Sequence, residues 1–248
     1  MDIRNRETEG IILHSRDWRE QDKLLTLISP AGPEKLIARG ARKPGGALCA
    51  VAQPFSRALL LLTPPKAGLS FLSSGQIVET YLRPGDALER YAYAAYLAEL
   101  LLAVWPEGKA QPALYYLAQA AFSLLKLDDD FNRTARFFEL RLLQELGWLP
   151  PLDSCAACGR SLLGGRFQLS PGRGALLCLS CADSAGPPLS AGSVETMRRL
   201  LNAPLTKIIG IRLSAAIQGE LEQALAYYLD YHLDYKSKVR RVLDQLLD

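Results

Sequence analysis

Four cysteines fall in two pairs, Cys155-Ala-Ala-Cys158 and Cys178-Leu-Ser-Cys181, with nineteen residues between them. Two CxxC turns at this separation have the spacing of a zinc ribbon. Each turn points two soft thiolates at one ion, and two turns complete a tetrahedral shell. Four thiolates leave no position open for water, so such an ion folds the chain and does no chemistry. Gly159 follows the first pair, where a knuckle needs room, and Pro150-Pro151 and Pro187-Pro188 bracket the segment. The rival reading is two disulfides or four buried thiols. It is disfavoured by the odd fifth cysteine, Cys49, and by a charged start that has no apolar signal segment. One structural zinc ion on Cys155, Cys158, Cys178 and Cys181 is therefore expected.

A second cluster is cationic. Lys35, Arg39, Arg42 and Lys43 fall within nine residues that contain no acid, running into the glycine-rich stretch Gly40-Ala-Arg-Lys-Pro-Gly-Gly46. Such a loop lets cations and backbone amides approach phosphates, with salt-dependent binding as the consequence. The rings that could stack bases beside it are Phe55, Phe71 and Tyr81. A solvated loop explains the same residues without DNA. Arg16 and Arg19 could extend the surface, but Asp17, Glu20 and Asp22 lie among them.

Other chemistry-bearing residues are weaker. Arg133 and Arg136, three apart with Arg141 beyond, share a helical face that suits either an acidic peptide or plain solvent. Tyr227, Tyr228, Tyr231 and Tyr235 form a helical stripe, better suited to core packing than to base stacking. Lys236, Lys238, Arg240 and Arg241 either touch DNA or complement a helix end. His14 and His232 are the only histidines, and neither stands in a ligand pattern. Asp128-Asp129-Asp130 reads as a loop and helix cap. No GxSxG, HExxH or Walker-type motif occurs, so no catalytic constellation is found and no enzyme is expected.

The elements that must position these groups fall into two styles. Residues 8 to about 82 hold short apolar runs, Gly10–His14, Lys23–Ile28, Lys35–Ala38, Ala58–Leu62 and Gln76–Tyr81, separated by Gly/Pro turns. Five or six short strands in this length predict an OB-fold barrel, with an SH3-like barrel as the close alternative. After Pro84 the pattern turns helical. Asp86 is placed to cap a first helix, with Glu89 reaching back, and the helix runs to Trp105 before Pro106. It is apolar nearly all round, as a buried helix is. Helices over about Pro112–Leu127 and Phe131–Leu146 follow, the latter closed by Gly147, with more near Ser193–Leu201 and from about Ser214 onward. The expected organisation is an OB-fold DNA-binding domain over 1–82, an all-helical domain over 83–150 and 189–248, and the four-cysteine zinc module over 151–188. The 248 residues, 49% hydrophobic, suffice for such a multidomain α+β chain, and a net charge of +3 does not by itself imply nucleic acid. No apolar run of about 18 residues predicts a membrane span, so a cytoplasmic protein is expected.

In order along the chain stand Glu9-Gly10-Ile-Ile-Leu13, Asp22-Lys-Leu-Leu-Thr26, Ala38-Arg-Gly-Ala-Arg42, Gln53-Pro54-Phe55, Glu89-Arg90-Tyr91 and Gly147-Trp148-Leu149-Pro150 before the first cysteine pair. Together, over essentially the whole chain, this resembles the bacterial recombination mediator family RecO. The resemblance implies a non-catalytic protein of the RecF recombination pathway. It implies binding of single- and double-stranded DNA, annealing of complementary strands, and work with RecR. It also implies contact with the acidic C-terminal tail of single-stranded-DNA-binding protein, by which RecA is helped onto coated single strands. The family's basic barrel surface maps onto Lys35, Arg39, Arg42 and Lys43. Its tail pocket lies on the helical body, where Arg133 and Arg136 are the candidates.

Two rivals have discriminators. Formamidopyrimidine-type glycosylases carry a four-cysteine finger near the C-terminus and need an N-terminal proline, whereas residue 2 is Asp and over sixty residues follow Cys181. A zinc-ribbon regulator or adaptor without annealing activity would prefer one duplex sequence by several kcal/mol.

Overall fold

A computed structural model describes residues 5–64, 68–162, 164–182, 186–233 and 237–247. Asp2, Tyr235, Lys236 and the side chain of Arg241 lie outside the described residues. The chain divides into two compact units, Met1–Lys126 with Val242–Asp248, and Leu127–Arg241.

In the first unit, five strands carry short runs rich in Leu and Ile, the composition of strands that pack a core. They are β1 (Arg6–Trp18), β2 (Asp22–Ser29), β3 (Gly32–Ala38), β4 (Ser56–Thr63) and β5 (Ser70–Thr80). They close into a barrel in the order β1-β2-β3-β5-β4, with β3 and β5 parallel. This is the OB-fold barrel, not the SH3-like alternative. Leu25, Leu27, Leu36, Leu60, Leu62 and Leu72 fill its interior. A register slip in β1 between Ile12 and His14 changes which residues face that interior. Strict alternation from Ile12 would send His14 and Arg16 inward. The bulge instead sets Ser15 opposite the core residue Leu25 and leaves His14 and Arg16 exposed outside.

The connection from β3 to β4 plugs the barrel. Ala41, Leu48, Val51 and Ala52 join the same core cluster. Two helices complete the unit, α1 (Leu88–Val104) and α2 (Pro112–Leu127), with proline opening the second. The α1 start differs from expectation. Ala87 holds the capping position without a side-chain bond, and the Asp86 carboxylate accepts the Arg83 N–H at 2.7 Å. Asp86 lies one residue too early to cap, and it closes the preceding turn instead. Phe55, at φ +58°, sets its ring 6.4 Å from Tyr91 and 5.4 Å from Phe122, so it ties barrel to helices. Arg57 bridges Glu9 at 3.1 Å and Glu79 at 3.4 Å, Tyr115 donates to Glu9, and Lys126 pairs with Glu79 at 2.9 Å.

The second unit centres on α3 (Phe131–Glu145), capped by the Asp130 carboxylate and ended by Gly147 at φ +71°. A small sheet follows, β6 (Arg166–Ser170), β7 (Ala175–Cys178) and β8 (Pro188–Ser190), in the order β7-β6-β8. Then come α4 (Ala191–Asn202), a single turn α5 (Leu205–Ile208) and α6 (Ala215–Leu233); α7 (Lys238–Leu247) starts in this unit, and its residues from Val242 onward belong to the first. The helix expected from Ser214 onward is thus two, and the Ser237 hydroxyl accepts the Arg240 N–H at 3.0 Å to start the second. Helix α6 packs on α3, α4, β6 and β8. Its Glu220 accepts the Ser190 N–H at 2.7 Å and the Ser193 hydroxyl at 2.6 Å, which fastens the strand-to-helix junction at β8–α4. Hydrogen bonds from Ser193 and Ser190 keep the Glu220 pKa below its ordinary value despite the opposing effect of burial.

Candidate metal centre and nucleic-acid interface

The two cysteine turns converge. The first is a knuckle closed by Gly159 N–H to the Cys155 carbonyl at 2.9 Å, with Gly159 at φ +71°, and by Cys155 N–H to the Arg160 carbonyl at 2.9 Å. The second leaves the end of β7, where Cys181 and Ala182 N–H groups return to the Cys178 carbonyl at 2.9 and 3.0 Å. Ala156 N–H donates to the Leu176 carbonyl at 2.9 Å and locks one turn to the other. All four sulfurs lie within 4.8 Å of one another, and none forms a disulfide. Cys158 and Cys178 sulfurs are 3.8 Å apart. A tetrahedron with Zn–S bonds of about 2.3 Å has edges of about 3.8 Å.

The electrostatics ask for a cation. Burial raises the Cys155 pKa, but N–H groups of Cys178, Cys158 and Ala157 aimed at its sulfur outweigh that and bring it to about 6. Cys181, hydrogen-bonded to the Cys178 and Cys158 sulfurs, is pushed up to about 12. Four thiols this close cannot all ionise against one another, and a divalent ion removes that conflict. The donor set and its closure fit zinc, and these four residues would hold it.

The basic segment is a fixed loop. Gly40 N–H donates to the Asp22 carboxylate at 2.9 Å, Arg42 N–H to the Gln21 carbonyl at 3.0 Å, and Gly46 N–H to the Lys43 carbonyl at 2.9 Å. Gly40 at φ +66° and Gly45 at φ +72° supply turns that other residues resist. Its cations are not equivalent. Lys35, on β3, lies 3.6 Å from the Glu107 carboxylate, and Arg42 lies 3.2 Å from Asp17 while also bonding the Arg19 carbonyl. Arg39 and Lys43 are exposed and carry no carboxylate partner among the described residues. The Arg39 guanidinium sits 4.0 Å over the Phe71 ring. Of the rings expected to stack bases, Phe55 and Tyr81 are buried, and only half-buried Phe71 reaches the surface. Trp18, at the end of β1, is 39% exposed and escaped the sequence reading. His14 and Arg16 are exposed, as a basic surface extended by Arg16 requires, but the bulge that turns them outward leaves no mark in the hydrophobic pattern.

Arg133 and Arg136 do not present the expected face. They are 4% and 2% exposed, because each is consumed inside the unit. Arg133 binds Asp128, Asp130 and the Ile211 carbonyl, and Arg136 pairs with Glu139 at 3.0 Å. The tyrosine stripe splits: Tyr228 is buried and donates to the Trp148 carbonyl at 2.8 Å, whereas Tyr231 is exposed. A different place on this unit combines cations with apolar surface. A groove of about 630 Å³ is lined by Arg199, Lys207, Ala203, Pro204 and Ile211, with Leu205 and Ile209 exposed on the same short segment.

A closed OB-fold barrel with a fixed cationic loop, in a chain that also holds helices and four clustered cysteines, defines a multidomain OB-fold protein with a four-cysteine module. Residues 1–81 match the family described as Recombination protein O N terminal, and residues 85–241 match Recombination protein O C terminal. The chain belongs to the RecO family. It is 34% identical to the DNA repair protein RecO of Symbiobacterium thermophilum, over 96% of both chains. It is 35% identical to that of Pelotomaculum thermopropionicum, over 90% of this chain and 87% of the relative. The RecO of Moorella thermoacetica is 34% identical, over 90% and 86%. Among the described residues no helix is long and apolar enough to cross a membrane.

Proposed function

We propose that this protein is a non-catalytic recombination mediator in DNA repair. It binds single- and double-stranded DNA through the barrel loop and anneals complementary strands. With RecR it helps RecA onto strands coated by single-stranded-DNA-binding protein. The observation that carries this reading is the loop itself, pinned to the barrel with Arg39 and Lys43 unneutralised. Annealing brings two phosphate backbones together, and cations must offset their repulsion. Contact with backbone rather than base edges keeps the binding blind to sequence. The acidic tail of the coating protein needs a cation beside an apolar groove. The groove at Arg199 and Lys207 offers both, which Arg133 and Arg136 do not.

The test is fluorescence annealing of complementary oligonucleotides, bare and coated with single-stranded-DNA-binding protein. Acceleration on coated strands, equal across unrelated sequences, is expected. Zinc-loaded, folded protein that gives no acceleration refutes the mediator reading.

A further inference from the structure

The outer face of the barrel holds a groove of about 480 Å³, within the range of small-ligand sites. Its floor is built from paired strands. His14, Thr26 and Lys35 stand in one cross-strand row, and Arg16 and Leu24 in the next. The opposite wall is the end of α1 and the turn beyond it, from Leu102 to Glu107. The β1 bulge puts His14 and Arg16 here, so the groove exists because of that slip.

Its charges point to a bound anion. Arg16 has no carboxylate partner among the described residues, and Lys35 is held only by Glu107. Glu34, the other acid on the lining, is already bonded to Arg6. Glu107 and Lys35 are both about half exposed, at 54% and 52%, and such a surface pair is weak and easily exchanged. The Glu107 carboxylate thus occupies the place a phosphate would take. Beyond the groove the cations continue: Lys35 to Arg39 is four residues of β3 and its end, about 13 Å. A charged ligand spanning that distance is a polyanion, not a small metabolite. The remaining lining, Leu24 and Leu102 with Thr26, suits a planar base.

Building on the DNA-binding reading above, we propose that this groove receives one unpaired nucleotide of a single strand. The base lies against Leu24 and Leu102, and its phosphate replaces Glu107 at Lys35 beside Arg16. A base held in a duplex cannot turn into the groove, so a duplex meets only the exposed loop. The groove therefore sets the preference for single strands, and Glu107 acts as a brake on it.

The experiment is fluorescence anisotropy with a labelled oligo-dT strand and a blunt duplex, on zinc-loaded full-length protein whose folding is checked by circular dichroism. Thr26→Trp fills the groove from a half-buried outer position and is expected to weaken oligo-dT binding at least fivefold with duplex binding unchanged. Glu107→Gln, which needs no repacking, is expected to tighten oligo-dT binding about two- to fivefold. Unchanged oligo-dT affinity in both variants overturns the proposal, and so does an equal loss on both DNAs in Thr26→Trp. Either result leaves the barrel-loop reading standing if loop variants still weaken both DNAs. Wild-type protein that binds neither DNA refutes that reading and this proposal with it.

Discussion

Replacing Arg39 and Lys43 together by glutamine should flatten the salt dependence of DNA binding, and the structure sets by how much. Both cations are exposed and unpaired among the described residues, so each is available to one phosphate. Removing one cation–phosphate pair lowers the slope of log K against log salt by about 0.7 on single strands and about 0.9 on duplex. The double variant should lower it by about 1.4 and about 1.8. Between about 50 and 200 mM salt, each such pair accounts for a change of about threefold, so the two account for roughly sevenfold on single strands and twelvefold on duplex. The control is Arg42→Gln with Asp17→Asn. That pair lies 3.2 Å apart and is already neutral, so removing both should move the slope by less than about 0.3. Glutamine keeps the side-chain stem, and the cost to stability is that of giving up the Arg39–Phe71 stacking, about 0.5–1 kcal/mol. Anisotropy titrations across the salt series measure both slopes. An unchanged slope in the Arg39/Lys43 variant, or an equal fall in the Arg42/Asp17 control, refutes the claim that unpaired loop cations bind the phosphates.

The second unit yields two more expected outcomes. Elemental analysis should find one zinc per chain, and Cys155→Ser with Cys178→Ser should abolish it and lower the melting temperature. DNA affinity per folded molecule should stay unchanged, and a loss of affinity at unchanged folding would place the zinc module against the DNA. Arg136→Met should cost about 3–5 kcal/mol in denaturant melts, because it removes the cation paired with the fully buried Glu139 carboxylate, while adding Glu139→Leu should recover most of that. A cost under about 1 kcal/mol for the single change would show that the pair does not hold the unit together.

The four-cysteine cluster was legible because its information is local. Two CxxC turns bring their own geometry, and nineteen intervening residues suffice for one β-hairpin to close them on each other. The helix α2 was equally legible, with proline at its first residue and an unbroken apolar face. The arginines of α3 were not. Their spacing says that they share a face, but whether that face meets solvent depends on Asp128, Ile211 and Glu139, which folding brings there.

The sequence alone therefore determined the strand and helix styles, the four-cysteine cluster and the position of the basic loop, all properties carried within a few neighbouring residues. Tertiary structure decided which cations face a carboxylate and which do not. Lys35 meets Glu107 and Arg42 meets Asp17, whereas Arg39 and Lys43 meet no carboxylate among the described residues. It also decided, through one slipped residue in β1, that His14 and Arg16 line a groove outside the barrel rather than fill its core. A charge is written in the chain, but its availability depends on which opposite charge folding places within about 4 Å of it.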